Sequence, residues 1–156
     1  MRFGKPTLVG IATGTIAGLA TITPAAGFVG PFGGFVLGLI SGALCFAMVG
    51  IIKTRFKVDD ALDVMAVHAV GGATGTFLLA FLCLPALGGL GLPEETSLGS
   101  MIGVQVTGIV ATLVWSAVAT FVLVKITSAL VGLRVDAETE TEGLDLTVHG
   151  ERAYDL

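Results

Sequence analysis

The sequence predicts an all-α, polytopic bundle of transmembrane helices, on three observations. Of the 156 residues, 54% are hydrophobic and only 13% are charged, about half the charged share of a typical soluble domain. No charged residue falls between Lys5 and Lys53, between Asp63 and Glu94, or between Glu95 and Lys125. Uncharged apolar runs beyond about 20 residues are what a hydrocarbon core of roughly 30 Å requires of a spanning helix. The cations also cluster between these runs, at Lys53, Arg55 and Lys57 for example. That distribution marks loops rather than one charged helix face.

Four spans follow in order. The first helix is drawn at about 6–22, opening on Pro6, because proline is tolerated in a first turn. The second runs at about 33–52. The third begins near Asp60 and closes near Leu84, with Pro85 as its stop. A turn-rich stretch from Pro85 to Pro93 leads to a fourth helix at about 97–133. At 1.5 Å per residue that helix is roughly 50 Å long, so it must tilt or project from the membrane. Residues 1–134 thus form the membrane part.

The tail at 135–156 changes character. It holds Asp136, Glu138, Glu140, Glu142, Asp145, Glu151 and Asp155 against Arg152. Acidic runs of this kind are usually solvated. Leu144, Leu146 and Tyr154 interrupt the run, and they suggest a segment that docks.

The connection from Thr23 to Phe32 contains no Lys or Arg, and the one after Pro85 carries only Glu94 and Glu95. The positive-inside rule therefore puts both termini in the cytoplasm, with the chain a multi-pass protein of the plasma or inner membrane. A cleaved leader is not expected, because the segment after Arg2 and Lys5 continues into the polytopic pattern. Gly10/Gly14/Gly18, Gly34/Gly38/Gly42 and Gly71/Gly75 repeat at i+4, giving smooth faces for close helix packing. Cys45 and Cys83 read as small buried residues with no metal or disulfide spacing.

His68 is the one ionisable side chain inside the apolar part of the third span. It lies about 12 Å along the axis from Asp60, which is expected to put it close to the bilayer midplane. Intramembrane ionisable groups are costly and usually face a cavity or a partner. Imidazole suits a conduction path, because it can be neutral near pH 7 and can both donate and accept a hydrogen bond. Asp59 or Asp60 is expected to cap this helix. Asp63 is placed one turn further on, as a candidate for a cytoplasmic vestibule.

The block from Val58 to Gly72, with its Asp63-Val-Met-Ala-Val-His68-Ala-Val-Gly71-Gly72 core, resembles the segment of the Amt/Mep/Rh ammonium transporters that carries the second histidine of their twin-histidine pore. Gly14 to Phe28 is similar to that family's glycine-rich helix and extracellular turn. Gly132-Leu-Arg-Val135, the Glu142-Gly-Leu-Asp145 run and His149-Gly-Glu-Arg-Ala-Tyr154 resemble its cytoplasmic tail. The resemblance covers nearly the whole chain. It implies a partial ammonium-transporter fold, the last four of about eleven helices.

By that resemblance His68 is the second pore histidine, Val64 lines the same lumen one turn earlier, and Thr13 faces its cytoplasmic side. The first pore histidine, the aromatic gate and the recruitment site for ammonium belong to the family's other part. Trp115, the sole tryptophan, reads as a packing residue or one distant from the lumen. The implied function is transport of ammonium/ammonia, with this chain supplying the C-terminal half of the pore. Thr147, His149, Gly150 and Tyr154 would form a regulatory tail. Expected partners are the lipid membrane, a homotrimer of the full-length family and a PII-type signalling protein, with no nucleic acid. Two rivals stand beside this reading. One is a truncated, non-transporting interaction protein that binds the PII-type regulator or full-length subunits. The other is a small self-associating channel. No nucleophile–base pair or metal-ligand set points to an enzyme, and no cofactor or metal is expected.

Overall fold

Among the described residues of this computed structural model, four helices are long and apolar enough to cross a membrane. The structure describes residues 7–152. Among them there is no strand, as an all-α fold requires.

Helix α1 spans Leu8–Ile22, and the Thr7 hydroxyl caps it by accepting the Gly10 N–H at 3.1 Å. Pro6 lies outside the described residues. Helix α2, Pro31–Thr54, starts earlier than Gly33 because Pro31 occupies its first position, where no N–H is needed.

The third span differs most from expectation. It is not helical from Asp60: Asp63 has φ +58°, a left-handed conformation that interrupts any helix running through it. The span begins after Asp63 with a π-helical turn, Met65–Val70, and continues as α3, Gly71–Leu82. It ends before Leu84, whose backbone is extended (φ −63°, ψ 140°), the conformation imposed on a residue preceding proline. Helix α4 covers Leu98–Leu130, 33 residues and about 50 Å of axis. Gly132, at φ +79°, marks the turn beyond it. The short α5, Ala137–Glu142, and a π turn at Asp145–His149 complete the described tail.

By internal contacts the chain divides into two units, Met1–Thr112 and Leu113–Leu156. In the first, Ala25, Leu37, Leu79, Leu82 and Cys83 form one buried cluster, and Ala17, Cys45 and Val67 form another. Both cysteines are free and buried. The connections after α1 and after α3 meet at one end of this unit. There the Leu90 N–H donates to the Phe28 carbonyl at 3.0 Å, and a β-carbon on Gly30 would collide with the Gly88 carbonyl. These are the two connections without Lys or Arg.

The glycine series divide into two kinds. A β-carbon on Gly71 would lie 2.8 Å from the Thr21 hydroxyl, and one on Gly75 would strike the Thr21 carbonyl. These two glycines do permit close approach to α1. At Gly14, Gly18, Gly38 and Gly42 a β-carbon would meet nothing within 4 Å. Helix α4 contains no buried residue, and Trp115 on it is 74% exposed.

Candidate functional site: a histidine on an outward helix face

Two acids shape the start of the third span. The Val64 and Met65 N–H groups donate to the Asp60 carboxylate at 2.9 and 2.8 Å. Asp60 is therefore the cap, as the sequence suggested, but it acts from a turn outside the helix. Asp63 does not stand one turn inside the helix. It precedes it, and its carbonyl accepts the Val67 N–H at 2.9 Å. Its carboxylate pairs with Lys53 on the last turn of α2 at 2.5 Å. The approach is an ion pair rather than an aligned hydrogen bond, since Asp63 Oδ1 is buried without a hydrogen-bonding partner. The charge proposed for a vestibule is thus tied to Lys53. It also fastens the start of the third span to the end of α2.

His68 lies in the π turn that follows. Ala66 and Val67 just before it are 1% and 2% exposed, whereas Val64 is 50% exposed and His68 and Ala69 are also exposed. The imidazole and Val64 thus share the face that this chain leaves uncovered. Thr13, half-buried, precedes buried Ala17 by one turn of α1. Ala17 packs with Val67 and Cys45, so Thr13 belongs to the inward side of the assembly while His68 belongs to the outward side. His68 and Val64 thus share an exposed face of the third span, whereas Thr13 stands on the half-buried side of α1.

Sequence reasoning missed a buried polar cluster beneath this turn. The Thr21 hydroxyl donates to Ser41 Oγ at 2.7 Å, and the Ser41 hydroxyl donates to the Ala17 carbonyl at 2.7 Å. Both side chains are fully buried. Hydrogen bonds between apolar spans contribute on the order of 1 kcal/mol each, so this pair fixes geometry more than it adds stability. Small hydroxyl residues on glycine-rich apolar helices were the available signal.

In the tail, the Asp136 carboxylate caps α5 by accepting the Thr139 N–H at 2.9 Å. That bond, with one from the Thr139 hydroxyl, holds the Asp136 carboxyl below its ordinary value. The cap is therefore intact at neutral pH and is lost as pH falls through that lowered value. The Thr147 hydroxyl donates to the Gly143 carbonyl at 2.9 Å. His149 ends the second π turn, and Gly150 follows at φ +65°. Leu144, Leu146 and Val148 are between 45% and 56% exposed, so these three apolar side chains are only half covered. Tyr154 lies outside the described residues.

Comparison with known proteins gives a consistent result. The profile of the Ammonium Transporter Family matches residues 1–154. An ammonium transporter of Bacillus subtilis is 46% identical over 96% of the chain, and one of Aquifex aeolicus is 42% identical over all of it. The chain spans 37% and 36% of the lengths of these two relatives. A solved structure named Sensor Amt Protein superposes with a TM-score of 0.80 at 30% identity, covering 91% of this chain and 34% of its own. The chain is a multi-pass membrane protein, and it belongs to the ammonium transporter family.

Proposed function

We propose that this chain takes part in moving ammonium or ammonia across a membrane, supplying the C-terminal part of the transport path. The observation that carries the proposal is His68, a titratable side chain within a spanning segment, set on the face its own chain leaves open. Desolvating a bare cation in hydrocarbon costs many kcal/mol, whereas neutral ammonia needs only one or two hydrogen-bonding partners. Ammonium is deprotonated on the outer side, ammonia passes along an apolar lumen lined by Val64, and His68 shares the separated proton with a histidine from the other half. Asp63, paired with Lys53, belongs to the cytoplasmic end of the path. A strain without ammonium uptake should grow on limiting ammonium when this chain is assembled with the other helices of the family fold. No growth despite normal membrane abundance would contradict the proposal.

The membrane part, 1–134, sits in the plasma or inner membrane, and the tail, 135–156, lies in the cytoplasm. Supporting this orientation, the two cation-free connections meet at one end of the first unit, while Lys53, Arg55 and Lys57 cluster at the other end of α2. Cysteines replacing Ala26 and Ala86, both exposed, should react with an impermeant thiol reagent on intact cells. Cysteines replacing Thr54 and Thr141 should be protected. External labelling at Thr54 would overturn the orientation.

The assembly is a homotrimer, and the tail receives a PII-type signalling protein; the half-exposed Leu144, Leu146 and Val148 support a docking role. Thr147 is exposed and its hydroxyl serves Gly143. Phosphorylation there adds close to two negative charges beside Asp145 and removes that donor. Thr147→Asp should lower ammonium uptake several-fold at unchanged membrane abundance. Unchanged uptake would make the tail a solvated end.

A further inference from the structure

We infer that Gly71 is a positioning residue for His68: seated on Thr21, it holds open a single π-helical turn that faces the imidazole outward. This rests on the reading of His68 as a conduction residue. In a straight α-helix, His68, Gly71 and Gly75 stand at i, i+3 and i+7 and share one face. Gly71 and Gly75 press against α1 at Thr21, so a regular helix would carry His68 inward with them. Ala66, five residues before Gly71, would then point away from α1. The structure shows the reverse: Ala66 and Val67 are buried and His68 is exposed. The wider i→i+5 spacing of the π turn, Met65–Val70, accounts for this by accommodating one extra residue between the buried faces before and after it.

The contact with Thr21 keeps the turn open. Thr21 is locked by its bond to Ser41, itself bonded to Ala17, and its Oγ1 lies 2.8 Å from where a Gly71 β-carbon would stand; Cys45 Sγ lies at 3.4 Å. Only a residue without a side chain can rest there. A methyl group at 71 would lift the span off Thr21 and let the turn close to ordinary α geometry, rotating His68 toward Cys45.

Native Cys45 reports the rotation directly, because it packs with Val67 and a disulfide forms only between cysteines that face each other closely. In the full chain with Cys83→Ala, oxidation should cross-link Val67→Cys to Cys45 and leave His68→Cys free. Adding Gly71→Ala should reverse that preference, and Thr21→Ala in the same chain, by removing the obstructing hydroxyl, should restore it. Deleting Ala69 removes the extra residue, so the deletion chain should keep the parent pattern. In an ordinary helix that deletion would turn Val67 about 100° away from Cys45. Equal cross-linking of both cysteines in the parent chain, a pattern indifferent to Gly71→Ala, or a deletion chain in which His68→Cys cross-links would each overturn the positioning role. These readouts do not involve transport. In the assembled transporter, Gly71→Ala should lower ammonium uptake at least ten-fold at retained abundance, whereas the deletion of Ala69 should not. A reversed cross-linking pattern with normal uptake would instead overturn the conduction reading of His68.

Discussion

Expressed by itself, the chain should accumulate poorly in the membrane, and co-expression with the remaining helices of the family fold should raise its abundance several-fold. The reason lies in the surfaces that it leaves open. Gly14, Gly18, Gly38 and Gly42 would admit β-carbons without contact, and α4 buries nothing. Lipid tails match leucine in polarity, so association of spans depends on close packing at small residues rather than on hydrophobic transfer. Glycine inside a helix costs roughly 1 kcal/mol relative to alanine, and a smooth glycine face offsets that cost only when another helix lies on it. Differences of about 1–2 kcal/mol change cellular abundance several-fold. The measurement is membrane abundance and protease resistance of the chain with and without the other helices. Robust, protease-resistant accumulation of the isolated chain would favour a self-associating channel that supplies its own partner surfaces.

The fold was legible where physics acts over many residues at once. Long charge-free runs report the membrane, and the helices drawn at about 6–22 and 33–52 stand in the structure as Leu8–Ile22 and Pro31–Thr54. The third span was legible in identity but not in shape. Asp60 does cap it, yet the helix begins after Asp63, whose backbone is left-handed and whose carboxylate pairs with Lys53 across a loop. No local pattern encodes that long-range ion pair.

The site was legible as a residue type in an unusual place, since His68 stands out in an apolar run. Its facing was not legible. Sequence spacing puts His68 with Gly71 and Gly75, and the π turn separates them. That turn depends on the tertiary contact of Gly71 with Thr21, which spacing along one helix cannot reveal. Glycine spacing also could not tell packed faces from open ones: a β-carbon on Gly71 or Gly75 would meet α1, whereas one on Gly38 or Gly42, in the same i+4 pattern, would meet nothing within 4 Å among the described residues.

Replacing His68 should have the largest effect of any single change on function. On the proposed path, Ala at this position would remove half of a proton-sharing pair and leave an apolar gap, so the separated proton would have no route. Glu keeps a titratable group there but presents a carboxylate, which favours a cation over neutral ammonia. His68→Ala should therefore abolish electrogenic ammonium current, a loss of at least ten-fold, while His68→Glu should conduct with altered selectivity and pH dependence. Neither change disturbs the buried contacts of Ala66 and Val67 or the Asp60 cap, so assembly should persist in both. The direct test is the current evoked by an ammonium pulse on proteoliposomes adsorbed to a solid-supported membrane, with the assembled transporter and equal protein in each preparation. The account predicts current from the parent protein and none from His68→Ala. A full-size current from His68→Ala with unchanged ion selectivity would make His68 a packing residue and contradict the conduction path described for this chain.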